Sequence, residues 1–296
     1  MVISESLTIT PQRFRLTASM TLHDYSTCCP PEPVLALTVT CIPPEDEALK
    51  IKALALTDAL QLQQERAFNG DPLLFVYTAG GLELHVPNTK SGGPVTRLTT
   101  DLVHGNTGYR RLHGGGIHQP LARAAGLKPG YRPTVVDCTA GLGVDSFILA
   151  SLGCLVTMIE RSPVIGALLT DGLQRAASHP STKEIVDRMQ LRIGNSCELI
   201  TTLPEPPATI YLDPMYPHRR NSALGKQEMR IIRTLVGDDQ DAAALLETAL
   251  GIATNRVVVK RPKGAPELGN RRPSHIIEMK NSRFDVYLTN RLKAEG

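Results

Sequence analysis

No two of the six cysteines stand at C-x-x-C spacing. Cys28, Cys29, Cys41, Cys138, Cys154 and Cys197 are scattered, and the histidines form no cluster at metal-ligand spacing. Zinc modules and disulfide frameworks both need such arrangements. The expectation is therefore reduced thiols, several of them small hydrophobes in core segments, and no metal. Long apolar runs are also missing: none approaches the ~18 residues that a membrane-spanning helix requires. The opening Met1-Val2-Ile3-Ser4-Glu5-Ser6 has neither the basic start nor the apolar stretch of a signal peptide. A cytoplasmic protein with no membrane partner is expected. Charge of one sign is not in excess either. A formal net charge of +3 allows nucleic-acid binding through a local basic face but does not demand it. There is no internal repeat and no low-complexity segment. A hydrophobic fraction of 42% with 21% charged residues is that of an ordinary globular chain.

Two regimes follow one another along the 296 residues. Val34–Ile42 reads as a strand and Glu45–Phe68 as a helix. Leu73–Val86 reads as a hairpin about Gly80-Gly81. Residues 1–103 are thus expected to form a small mixed α/β domain. A glycine-rich, basic connecting segment covers 104–132 and closes on Lys128-Pro129-Gly130-Tyr131-Arg132-Pro133, which reads as a linker. From 133 to 296 strands and helices alternate. Strands are expected at Thr134–Cys138, Leu155–Glu160, Gln190–Ile193, Thr209–Asp213 and Arg256–Lys260. Helices are expected from Val144, over Val164–Ala177 and over Asp241–Ala253. Repeated β-α units imply an α/β fold, Rossmann-like, with a mostly parallel sheet covered by helices. Two final strands, His275–Lys280 and Arg283–Leu288, add an antiparallel member at the C-terminal end.

The first of these strands runs into Asp137-Cys138-Thr139-Ala140-Gly141-Leu142-Gly143. Glycines there let the backbone approach a ligand, and the next helix offers free N–H groups. Glu160 ends the second strand, where a carboxylate can accept both ribose hydroxyls of a nucleoside. This much fits a dinucleotide as well as S-adenosyl-L-methionine (AdoMet), and Ser146 stands where a third motif glycine would be. Under the AdoMet reading, Gly141 and Gly143 approach the methionine moiety, and Asp137 and Asp145 hold its ammonium. Glu160 takes the ribose, and Asn195-Ser196 lie near adenine. Asn195 or Ser196 also suits a helix N-cap, and both roles can hold together.

Asp213-Pro214-Met215-Tyr216-Pro217 follows the fourth strand. The prolines stiffen an extended loop. The Asp213 carboxylate and the Pro214 carbonyl can then accept from an exocyclic amine, while Tyr216 offers a face for a base to stack on. Such an amine is a poor nucleophile until its lone pair is turned toward the methyl donor, which two acceptors achieve by orientation. Asp213, Pro214 and Tyr216 are the catalytic candidates, and this loop has no evident use in a NAD-dependent oxidoreductase.

VVDCTAGLGVDSFILASLGC, MIERSPVIGALLTDGL, YLDPMYPHRRNSAL, KQEMRIIRTLVG and RVVVKRP, in this order, resemble the ribosomal RNA small subunit methyltransferase J family. The resemblance spans about Leu102–Leu288. It implies a class I AdoMet-dependent fold and N2-methylation of one guanosine in the 3′ minor domain of 16S rRNA, on naked rRNA or the 30S subunit. Carried over by position, the cofactor contacts fall on Val144, Asp145, Glu160, Arg161, Asn195, Ser196 and Asp213. Val144 replaces an Arg, and Asn195-Ser196 replaces a Ser pair. Basic groups expected to meet RNA phosphates are Arg110, Arg111 and His113 before the core, His218, Arg219, Arg220 and Lys226 after the loop, and Lys260 and Arg261 at the end of the fifth strand. The rival within the class is an adenine N6 amine of RNA or DNA, because D-P-x-Y suits any exocyclic amine.

Overall fold

The computed structural model describes residues 37–60, 73–88, 93–215 and 241–289, all within one unit, Leu35–Gly296. Its first layer is a four-stranded sheet. Strand β1 (Leu37–Cys41) pairs in parallel with β2 (Leu73–Thr78), and helix α1 (Glu47–Ala59) packs on both. The Asp46 carboxylate caps α1 by accepting from the Leu49 N–H at 3.0 Å. Antiparallel β3 (Gly81–Asn88) and β4 (Gly93–Leu98) complete the sheet in the order β1-β2-β3-β4. The expected hairpin about Gly80-Gly81 is the β2–β3 turn. The expected helix ends at Ala59; residues 61–72 lie outside the described residues.

The segment read as a connector contains helix α2 (Gly105–His113), a 3₁₀ turn at Gly116–His118 and helix α3 (Pro120–Ala125). Proline at the first position starts α3, left-handed Gly126 (φ +87°) stops it, and Leu121, Ala122, Ala124 and Ala125 are all buried.

Then comes the larger sheet. Strands β5 (Val135–Asp137), β6 (Val156–Glu160), β7 (Met189–Ile193), β8 (Thr209–Leu212) and β9 (Arg256–Pro262) are mutually parallel. Between them lie α4 (Val144–Ser151), α5 (Pro163–Ser178), α6 (Lys183–Val186), α7 (Ser196–Leu199) and α8 (Ala242–Ile252). Strands β10 (His275–Glu278) and β11 (Ser282–Leu288) finish a seven-stranded order, β10-β11-β9-β8-β5-β6-β7, with β11 antiparallel to both neighbours. This is the Rossmann-like, mostly parallel sheet with one antiparallel C-terminal strand that the alternation predicts.

Alternation along the strands divides the core in two. Val135, Tyr211, Val258 and Phe284 face one cluster with Phe147 of α4 and the alanines of α3. Val136, Ile210, Val257 and Val259 face the other, with Leu246 and Ala249 of α8. A third cluster joins the small sheet to the large one: Phe75, Leu82, Leu84 and Leu98 pack on Ile165 and Leu168 of α5. Buried Asp171 of α5 fixes that join. Its carboxylate accepts the Leu82 N–H at 3.0 Å and the Arg175 guanidinium at 2.8 Å, and Arg175 also donates to the Thr100 carbonyl. Among the described residues no helix is long and apolar enough to cross a membrane.

Candidate active site

The β5–α4 turn sits at the carboxyl edge of the large sheet, where open α/β sheets bind ligands. Its two glycines have different tasks. Gly143 (φ +75°) has the Leu169 side chain 2.6 Å from where a Cβ would stand, so it serves close helix packing. Gly141 (φ +54°) has no atom nearer than 3.9 Å to that point, and it lines a cleft.

Glu160, at the end of β6, forms one wall and is only 5% exposed. Its two oxygens accept the Gly141 and Ser162 N–H groups, each at 2.8 Å, so the carboxylate is fixed and the glycine turn is tied to it. Asn195 and Ser196 form the opposite wall. The Asn195 side chain caps α7 by accepting from Cys197 N at 2.9 Å, and Ser196 Oγ donates to the Cys138 carbonyl at 2.6 Å. Ile165 and Leu245 add apolar surface.

Asp213 and Pro214 bring the end of β8 to the cleft. The Asp213 N–H donates to Thr139 Oγ1 at 2.6 Å, which couples the reaction loop directly to the ligand turn. Thr139 is in turn held by Asp137, whose Oδ1 accepts the Thr139 N–H at 3.0 Å. The Asp213 carboxylate accepts from Lys260 Nζ at 2.8 Å, and Lys260 also donates to Asp145 Oδ2 at 3.0 Å. Asp145 is the hub of this row, since Arg110 donates to its Oδ1 at 2.6 Å and the Tyr211 hydroxyl to its Oδ2 at 2.7 Å. Burial pushes the Asp145 carboxyl up, but Lys260, Arg110 and the Tyr211 hydroxyl outweigh it and hold the group down at about 2. Burial lowers Lys260, yet the Asp213 and Asp145 carboxylates raise it well above the usual lysine value. Asp145 and Lys260 are therefore both ionised at neutral pH.

Of the cofactor candidates, Gly141, Glu160, Arg161, Asn195, Ser196 and Asp213 line the cleft. Asp137, Gly143, Val144 and Asp145 do not. Asp137 shares the face of β5 that carries Val135, so it points under α4. There Ser146 Oγ donates to it at 2.6 Å, in the place a third glycine would take. Burial pushes its carboxyl up to about 7. Its carboxylate thereby anchors both the turn and α4. Val144 is exposed beside the turn. Arg161 reaches Asp241 at 3.3 Å.

The basic candidates also separate. Lys260 follows Val258 on its face of β9 and enters the carboxylate row, whereas Arg261 points to the other side and is 3% exposed. Two adjacent cations expected on one phosphate-facing surface are thus split by strand alternation, and neither is a solvated charge. Arg110 is committed to Asp145, Arg111 donates to the Ser181 carbonyl at 3.0 Å, and His113 is exposed. Tyr216, His218, Arg219, Arg220 and Lys226 lie outside the described residues. Thr139 and Ser146 escaped sequence reasoning. Their only signal was a hydroxyl at a motif position where glycine or any small residue serves equally well.

Residues 55–289 match the family described as "Putative SAM-dependent methyltransferase". The ribosomal RNA small subunit methyltransferase J of Thioalkalivibrio sulfidiphilus is 51% identical over 245 residues, covering 82% of this chain and 95% of that protein. Its namesake from Desulfotalea psychrophila is 48% identical over 242 residues, 82% and 93% of the two chains. The chain belongs to the ribosomal RNA small subunit methyltransferase J family. A solved SAM-dependent methyltransferase from Neisseria gonorrhoeae shares the fold with a TM-score of 0.64 and 34% identity, over 86% of this chain and 96% of that one.

AdoMet is the cofactor of this methyltransferase family, and the cleft fits it. The open backbone at Gly141 leaves room where a side chain would project, and the fixed Glu160 carboxylate lines the same cleft as an acceptor of the kind ribose hydroxyls require. Glu160, Asn195 and Ser196 would hold the nucleoside, with Ile165 and Leu245 against its flat faces. When bound, AdoMet supplies a methyl group already activated on a sulfonium. Asp213, held through its N–H by Thr139 and through its carboxylate by Lys260, presents a carboxylate to the same cleft.

Proposed function

We propose that this chain methylates the exocyclic N2 amine of one guanosine in 16S rRNA, in its 3′ minor domain, using AdoMet. The observation that carries the reading is the position of Asp213-Pro214 at the mouth of the cofactor cleft, with the Asp213 carboxylate fixed by Lys260. An anionic acceptor there accepts a hydrogen bond from one amine N–H and turns the lone pair toward the cleft; it then stands ready for the one proton released after transfer. The printed names of the relatives, methyltransferases of small-subunit rRNA, support the substrate class. Pro214 offers a carbonyl as second acceptor, and Tyr216 completes the loop in the sequence. On this reading Arg111 and His113 of α2 meet the RNA backbone, with His218, Arg219, Arg220 and Lys226 as the second basic group.

The test is nucleoside mass mapping of 16S rRNA from cells with and without the gene. Loss of one N2-methylguanosine, restored by the gene but not by an Asp213→Ala copy, is the expected result. An unchanged N2-methylguanosine content refutes the proposal, and loss of an N6-methyladenosine instead would move the target to adenine.

A further inference from the structure

A second hollow borders the Asp145–Lys260–Asp213 row. Asp145 and Lys260 line it, while Asp213, bonded to the same Lys260 Nζ, lines the cofactor cleft. One ion-paired row therefore borders both spaces. The hollow has an apolar floor of Leu121, Met279 and Phe284, and two cations, Arg110 and Lys260, at its side. Gly114 brings the α2–α3 turn to its rim. Along that turn Gly115 and Gly116 take left-handed φ values of +86° and +57°, and no atom lies within 4 Å of a Cβ built on Gly116. Backbone of this kind can approach a phosphate closely. On α2, exposed Tyr109 lies against His113 with ring centroids 4.7 Å apart, beside Arg110 and Arg111. Aromatic faces interleaved with cations suit unpaired nucleotides.

We propose that this hollow receives the acceptor nucleotide, turned out of its RNA strand. An enzyme that alters a base must take it out of its stack, and it needs a space of its own beside the cofactor to do so. An oxopurine fits the polarity of the wall. Its amine meets the Asp213 carboxylate, and its carbonyl oxygen meets Lys260 Nζ, the kind of donor that reads guanine O6. The base covers the floor of Leu121, Met279 and Phe284. The 5′ phosphate lies at the Gly114–Gly116 turn, where the Arg110 guanidinium, with five donors and one given to Asp145, has others to offer. The site binds no second cofactor in this scheme; it sets which base enters and how its amine faces the cleft. The inference rests on the reading of the chain as an rRNA methyltransferase.

The experiment fills the hollow without touching the cofactor cleft. Ser282, half-buried on β11, lines the hollow only, and so does Met279. Full-length Ser282→Tyr and Met279→Trp are assayed with methyl-tritiated AdoMet on 30S subunits from cells lacking the gene. AdoMet affinity is measured by calorimetry and folding by thermal melting. The expected result is a fall of about 100-fold or more in kcat/KM, the size of effect that misplacement of a reacting group produces, with AdoMet affinity kept within about twofold. Wild-type kcat/KM in both filled variants overturns the proposal. So does loss of AdoMet binding in a variant that melts like the wild type, because the hollow would then belong to the cofactor. If the wild-type chain itself labels no 16S rRNA, the functional reading fails, and the assignment of the hollow falls with it.

Discussion

Thr139→Val tests the coupling between ligand turn and reaction loop. The change is nearly isosteric but removes the oxygen that accepts the Asp213 N–H at 2.6 Å. That donor is partly buried, and leaving such a group without its acceptor costs about 1–3 kcal/mol. Part of the cost appears as stability: a loss of about 1 kcal/mol lowers Tm by roughly 2–4 °C in a domain of this size. The rest appears in catalysis, because Asp213 is no longer registered against the cleft, and a displacement of about 1 Å at a reacting group can cost about 100-fold in rate. Single-turnover transfer from labelled AdoMet measures that loss, and calorimetry measures AdoMet binding alongside it. We expect kcat to fall about 10–100-fold, with a much smaller change in AdoMet affinity. Thr139→Ser keeps the oxygen and should recover most of the rate. Wild-type kcat in Thr139→Val would show that the Thr139–Asp213 bond does not position the loop.

Gly141→Ala and Gly143→Ala should fail differently. Gly143→Ala adds a left-handed strain and a clash with buried Leu169, and is expected to lose about 2–4 kcal/mol of stability in chemical denaturation. Gly141→Ala should lose only about 1–2 kcal/mol but weaken AdoMet binding, because its methyl group enters the cleft. Lys260→Met breaks contacts to Asp145 and Asp213 and should destabilise by about 2–4 kcal/mol at pH 7. Since the folded Asp145 carboxyl is depressed to about 2, its contribution is present above the ordinary carboxylate range and is lost as pH falls through about 2. Without Lys260 that loss begins at higher pH, so the two acid-unfolding curves should converge only below about pH 2. Asp137 has the opposite sign. Its carboxyl is raised to about 7, so its contribution is complete below about pH 4 and is lost as pH rises through 7. Melting followed from pH 5 to 8 should show that decline in the wild type and not in Asp137→Asn.

The large sheet was legible because its strands are short β-branched runs separated by periodic helices, and burial on both faces leaves such runs few alternatives. Helices α2 and α3 were not. Glycines at 105, 108 and 114–116 argue against helix by propensity, and only tertiary contacts reverse that: Arg110 pairs with Asp145, and α3 buries its alanines against the sheet. The cofactor cleft was read from Gly141, Glu160, Asn195 and Ser196 because those residues sit at strand ends, where position alone assigns a face. What sequence order hid was direction. Asp137 and Asp145 are both acidic and near the turn, but one points under α4 and the other toward Lys260, and only the pleat and the helix phase decide which. Lys260 and Arg261 make the same point on β9.

The placement of β11 has a consequence for how the molecule is made. It lies between β9 and β10, and both of these precede it in the chain. Translation proceeds from the N-terminus at about 5–20 residues per second, so domains form in that order. Until residues 282–288 leave the ribosome, β9 has an open edge and β10 has no neighbour in the sheet. Phe284, which meets Tyr211 across the core at 6.3 Å, arrives with that last strand, and so does one wall of the second hollow. A nascent chain halted short of β11 could already carry the glycine turn and Glu160, yet it would expose an unpaired strand to other nascent chains. Assembly of this edge of the sheet thus waits on β11 by topology alone.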